Sequence, residues 1–119
     1  YASDVRKKKD IADAVLGLGF INDLRPVTYQ WKPNYDFPKD FAEYSEENHM
    51  TLDVTMHGLI AQEVKTALDK TGVERFAGWS EDKDGCQRIS AEAFVFPLIK
   101  AVQELTAKVA NLEEKLNAG

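Results

Sequence analysis

Val95-Phe96-Pro97-Leu98-Ile99-Lys100-Ala101-Val102-Gln103-Glu104-Leu105-Thr106-Ala107-Lys108-Val109-Ala110-Asn111-Leu112-Glu113-Glu114-Lys115-Leu116 carries the clearest structural signal of the chain. Val95, Leu98, Val102, Leu105, Val109, Leu112 and Leu116 fall at separations of 3, 4, 3, 4, 3 and 4, an unbroken a/d heptad seam. Asn111, Glu114 and Lys115 lie outside it. Such a stripe asks for partner helices, because a lone helix would leave it in water. With valine at a and leucine at d, Lys108 sits at g and Glu113 at the following e, where the two attract across a parallel interface. Valine at a with leucine at d leans towards two strands, so the seam alone does not ask for three. Pro97 marks a kink or the first turn of this helix, and Ser90 is placed to cap a short turn ahead of it.

Outward from the seam, Phe76 to Ser80 and Cys86 to Ile89 flank Glu81-Asp82-Lys83-Asp84-Gly85, whose Asp-Gly chemistry predicts a hairpin turn. A calcium loop opening at Ser80 would need a bidentate glutamate where Ala91 stands, which excludes it. Leu59 to Leu68 predicts a short helix with Ile60, Val64 and Leu68 on one face, stopped over Asp69 to Gly72. Val27, Tyr29 and Trp31 alternate with Thr28, Gln30 and Lys32, and Leu52, Val54 and Met56 alternate with Asp53, Thr55 and His57. These two strands are expected to pair as an antiparallel ribbon with a long tip, an extended arm near residues 33–50 that holds Tyr35, Phe37, Phe41 and Tyr44 among charges. Asp10 to Leu24 reads as one amphipathic helix capped by Asp10, with Ile11, Ala14, Val15, Leu18, Ile21 and Leu24 on its apolar face and Pro26 ending it. Gly17 and Gly19 do not make a dinucleotide loop, since Asn22 stands at the third glycine position and no strand precedes them.

The 119 residues predict a single α+β domain: a cleavage junction at residues 1–9, a globular part at 10–90 and an oligomerisation helix at 91–117. A net charge of −5 argues against a broad nucleic-acid surface. The single cysteine, Cys86, permits no internal disulfide, and no C-x-x-C pair is present for zinc. No apolar run approaches the length of a membrane span, and no signal-peptide core opens the chain, which reads as a piece cut from something longer. No metal, nucleotide or other cofactor is expected.

The opening Ser3-Asp4-Val5-Arg6-Lys7-Lys8-Lys9-Asp10 carries the chemistry. A serine becomes a nucleophile at neutral pH when a neighbouring base takes its proton, and a neutral lysine can be that base. Five residues carry the chain through about 500° of helix, and a strand points the two side chains to opposite faces, so neither regular element joins Ser3 to Lys8. A tight turn would, or a lysine from a second copy. Arg6, Lys7 and Lys9 disfavour a further positive charge beside them, whereas Asp4 and Asp10 favour one. A solvated basic N-terminus is the plain alternative to a self-cleaving dyad.

Four ordered blocks carry a family resemblance: Ser3-Asp4-x-Arg6-x-Lys8-Lys9-Asp10-Ile11; Leu24-Arg25-Pro26-Val27-Thr28-Tyr29-Gln30-Trp31; His57-Gly58-Leu59-Ile60-Ala61-Gln62-Glu63-Val64; and Pro97-Leu98-Ile99-Lys100-Ala101-Val102-Gln103-Glu104-Leu105. Together they resemble the C-terminal intramolecular chaperone auto-processing domains of bacteriophage tailspikes, endosialidases, neck appendages and tail fibres, the serine-lysine autopeptidases. The resemblance implies a homotrimer that registers and helps fold an upstream fibre of the same polypeptide, then cuts itself off. It implies Ser3 as nucleophile, Lys8 as general base and a cut between Ser3 and Asp4, in the host cytoplasm during virion assembly, with the released domain absent from the mature virion. Gln62, Glu63 and His57 are the possible supporting residues: a glutamine holding backbone amides, a glutamate paired with a basic residue, and a strand-end histidine or proton shuttle. A trimerisation cap that never cleaves and a coiled-coil adaptor are the alternatives.

Overall fold

The computed structural model describes residues 1–118. Its elements run, in chain order, as a 3-10 turn Val5–Lys7, α1 (Leu18–Asn22), β1 (Val27–Tyr29), a 3-10 turn Asn34–Asp36, β2 (Met56–Gly58), α2 (Ala61–Thr71), β3 (Trp79–Glu81), β4 (Gln87–Ile89), a 3-10 turn Ala91–Phe94 and α3 (Val95–Ala118). Two separate antiparallel hairpins, β1–β2 and β3–β4, replace any larger sheet among the described residues. Val27 faces Gly58, Thr28 faces His57 and Tyr29 faces Met56. The ribbon predicted from alternation is therefore present, but it is three residues long on each strand. Trp31 and Val54 lie beyond it and are exposed.

The core gathers Leu16, Phe20, Val64, Ala67, Leu68 and Phe94. Val64 and Leu68 are one helical turn apart on α2, which explains why that helix survives with an otherwise polar surface. Gly72 ends it in the left-handed conformation, φ 77°, where a glycine carries no Cβ penalty. The Phe20, Phe76 and Phe94 rings meet at centroid distances of 5.2 to 6.2 Å, two of the three contacts edge-to-face. A Cβ on Gly78 would collide with the Phe76 ring and press on Phe94, so the backbone of β3's approach lies against these aromatics only as glycine.

Two expectations are corrected here. The helix predicted over Asp10–Leu24 shrinks to Leu18–Asn22. Asp10 does not cap it; it adopts a left-handed φ of 54° in an exposed, non-helical stretch. Ile11 and Val15, on the expected apolar face, are 67% and 70% exposed, while Leu16 and Phe20 enter the core instead. A short helix needs a surface to lie on, and the single chain offers none to Ile11 and Val15. Ser90 occupies the N-cap position of the Ala91–Phe94 turn, yet its side chain makes no capping bond; its carbonyl accepts from the Ala93 amide at 3.1 Å instead.

Helix α3 is 24 residues long, about 36 Å at 1.5 Å per residue. Pro97 lies in its first turn, where its missing N–H is tolerated. Pro97 and Ala101 are buried, in the region where α3 docks on α1. At 100° per residue the heptad seam is centred about 90° around the axis from that docked side. Each seam residue is between 46% and 81% exposed, and residues 102–118 are exposed throughout.

Candidate functional site

The chain's first turn solves the spacing problem posed by Ser3 and Lys8. Asp4 is its N-cap: the carboxylate Oδ1 accepts the Arg6 amide at 2.9 Å. The amides of Lys7 and Lys8 then donate to the carbonyls of Asp4 and Val5, at 3.0 and 3.1 Å. One 3-10 turn between two extended residues, Asp4 and Lys8, folds the lysine back along the chain. Lys8 Nζ lies 2.6 Å from Ser3 Oγ. A nucleophile and a nitrogen base are thus in hydrogen-bond reach within one chain, at the separation proton transfer requires.

Charge around the dyad is ordered by a second contact. Arg6 grips Asp4 with Nε on Oδ1 at 3.1 Å and Nη2 on Oδ2 at 2.7 Å. That grip, with the Arg6 amide bond, holds the Asp4 carboxyl below the usual carboxylate range and raises the Arg6 guanidinium. Residues 1–15 are all exposed, and the Val5–Lys7 turn touches no other described helix or strand of the chain. The dyad is assembled but not desolvated.

The supporting residues lie elsewhere in the fold. Glu63, in the first turn of α2, receives a bidentate grip from Arg25, Nε on Oε1 at 3.0 Å and Nη2 on Oε2 at 2.6 Å. This ties the approach to β1 to the start of α2 and lowers the Glu63 carboxyl through the Arg25 hydrogen bonds. The expected pairing of Glu63 with a basic residue is therefore formed. Gln62 is exposed beside it, and its backbone carbonyl accepts the Thr66 hydroxyl at 3.1 Å. His57 is exposed in β2 opposite Thr28. Neither helix α2 nor strand β2 meets the turn that holds the dyad.

Sequence reasoning missed two polar keystones. Asn34, 6% exposed, accepts the His49 amide at 2.7 Å and donates to the Glu43 carbonyl at 2.9 Å, closing the 33–50 segment into a loop. Asp84 Oδ2 then accepts the Ala42 amide at 2.8 Å, while Arg88 bridges Glu43 and Asp82 at 2.8 and 2.6 Å. The segment is fastened to the β3–β4 turn of its own chain. A lone asparagine in a polar stretch has no periodicity to flag it. Glu104 is the second: from α3 it accepts the Leu18 amide at 3.2 Å and so caps α1.

The family model described as chaperone of endosialidase, peptidase S74, matches residues 3–73. The chain belongs to this family. The match opens at Ser3, takes in the dyad turn, α1, the β1–β2 ribbon and α2, and covers three of the four sequence blocks that carried the resemblance. It supports a chaperone role for the domain and, through the family's peptidase designation, a peptidase character. No curated protein matches the chain.

Proposed function

We propose that this chaperone domain assembles as a parallel homotrimer through α3, registers three copies of an upstream fibre or tailspike, and then severs itself at the Ser3–Asp4 bond. The observation that carries the cleavage step is the 2.6 Å contact between Lys8 Nζ and Ser3 Oγ across a capped turn. In its neutral form Lys8 takes the Oγ proton as the oxygen attacks a carbonyl carbon at the junction. The C–N bond breaks, the proton passes to the departing Asp4 amine, and water hydrolyses the acyl ester to return the serine hydroxyl. Attack by Ser3 on its own carbonyl would close a four-membered ring. A Ser3 supplied by a neighbouring copy avoids that strain, so cleavage waits on assembly.

The physical gain is kinetic. Registering three long chains is a slow search, and a self-associating cap raises their local concentration. Once the fibre has formed, removing the cap leaves a product that cannot retrace its folding path. The loop at 33–50, with Tyr35 52% exposed, is the surface offered to the upstream passenger. This work belongs in the host cytoplasm during virion assembly, and the released domain is absent from the mature particle.

The test is denaturing intact-mass analysis of the domain fused to its natural upstream segment, with Ser3→Ala, Lys8→Ala and Lys8→Arg. The parent is expected to yield a fragment beginning at Asp4. All three variants are expected to stay whole, Lys8→Arg included, because a guanidinium stays protonated and cannot act as base. A parent that stays whole while forming trimers would make the domain a retained cap.

A further inference from the structure

The dyad accounts for Ser3 and Lys8 of the opening motif but does not use the Asp4–Arg6 pair beside it. We propose that Asp4 and Arg6 form a clamp that positions the nucleophile and its base, making the residue just after the cut a determinant of whether the bond is cleaved. This rests on the self-cleavage reading above.

Asp4 does two jobs with one carboxylate. Oδ1 caps the Val5–Lys7 turn through the Arg6 amide at 2.9 Å, and both oxygens are gripped by the Arg6 guanidinium, at 3.1 Å through Nε and 2.7 Å through Nη2. The turn is what brings Lys8 Nζ to 2.6 Å from Ser3 Oγ. No other described helix or strand supports it, so its rigidity has to come from contacts within the stretch itself. A 3-10 turn of three residues has little intrinsic stability, and a cap is the local interaction best able to hold it. The guanidinium fork fixes the carboxylate in the capping rotamer. It also engages both carboxylate oxygens with the Arg6 guanidinium. The position after the cut is thereby restricted to side chains with a short capping acceptor: aspartate best, then asparagine, serine or threonine.

The experiment follows self-cleavage of the fusion with its natural upstream segment for the parent, Asp4→Ala, Asp4→Asn and Arg6→Ala. Alongside, the proton contact between Ser3 Cβ and Lys8 Cε is recorded by NMR on the uncleaved chain at the start of each time course. Asp4→Ala is expected to slow cleavage about tenfold, the size of a lost cap, and to lose the Ser3–Lys8 contact. Asp4→Asn is expected to restore the rate to within about threefold of the parent and to keep the contact, since an amide oxygen still caps. Arg6→Ala falls between them. Asp4→Ala cutting at the parental rate, or Asp4→Asn proving no faster than Asp4→Ala, overturns the clamp. If the parent itself stays whole, the self-cleavage reading fails separately, and the clamp is judged on the NMR contact alone. Loss of the contact in Asp4→Ala with retention in Asp4→Asn sustains it, and persistence in Asp4→Ala removes it.

Discussion

Gly17 has no room for a side chain. A Cβ there would run into the Glu104 carboxylate and lie 3.1 Å from Lys100 Cγ, and it is this close approach that lets Glu104 reach the Leu18 amide at 3.2 Å. Helix α1 is five residues long and starts without a side-chain cap from its own flank, so a tertiary residue caps it. Gly17→Ala is expected to displace Glu104 and to cost about 1 kcal/mol, the size of a lost cap, which for a domain of this size lowers Tm by roughly 3–5 °C. Glu104→Ala removes the same contact. A double-mutant cycle followed by thermal unfolding should therefore show the pair well short of additive; full additivity would show that the two residues act separately. Asp10 is the other residue whose backbone decides something. With φ at 54° it closes off helix at the position where a cap had been expected, a conformation aspartate tolerates better than most side chains.

The loop at 33–50 is held as an element by two different devices. Asn34 closes it from inside, and Asp84 fastens it to the β3–β4 turn through the Ala42 amide while also accepting the Cys86 amide at 2.9 Å. Those amides lower the Asp84 carboxyl below its ordinary value of 3.8, the Ala42 bond first. A depressed carboxyl stabilises the fold fully above its ordinary value and loses that contribution as pH falls through the lower folded value. The tether is thus intact at neutral pH and released only in acid below about 3.8. Hydrogen exchange should report it. Asp84→Ala is expected to speed exchange of the Ala42 amide about tenfold at neutral pH, in keeping with the loss of a charge-assisted hydrogen bond. Exchange at the parental rate would show that the loop is held by Asn34 and Arg88 without Asp84.

The whole chain is open for its length. Its radius of gyration is 19.2 Å, against about 13.5 Å for a compact domain of this length, and it extends 66 Å along its longest axis. Its accessible surface is 9459 Å², roughly 3,000 Å² more than a compact 13.4 kDa monomer exposes. An excess of that order is of the size the proposed assembly would cover, and the seam from Val95 to Leu116 is the longest run of exposed large apolar side chains in the chain. Leu105→Lys places a charge at a central d position that is 50% exposed in the single chain. It is expected to leave the globular part folded by circular dichroism, to move the sedimentation mass from trimer to monomer, and to slow self-cleavage at least tenfold. Undiminished cleavage by the monomer would separate the dyad from assembly and place the whole reaction within one chain.

What the sequence determined by itself was set by local chemistry and period. The heptad spacing of α3, the Asp-Gly turn between β3 and β4, the alternation that pairs Val27–Tyr29 with Met56–Gly58, and the three family blocks within residues 3–73 were all legible, because each depends on residues close in sequence or on a repeating face. The tertiary structure decided where apolar periodicity went unrewarded. The stripe from Ile11 to Leu24 could have been helix, but only Leu18–Asn22 is helical, packed on α3, and Leu24 turns onto the core, while Ile11 and Val15 stay exposed. It also decided the contacts between residues far apart in sequence: Glu104 on Leu18, Asp84 on Ala42 and Arg25 on Glu63. No periodicity encodes such pairs, since each exists only once the elements carrying its two halves have packed. The meeting of Ser3 and Lys8 stands between these cases. Its residues were plain in the sequence, and a turn was the route they required within one chain, but the three-residue 3-10 turn that joins them follows from Asp4 and Arg6, whose part became visible only in three dimensions.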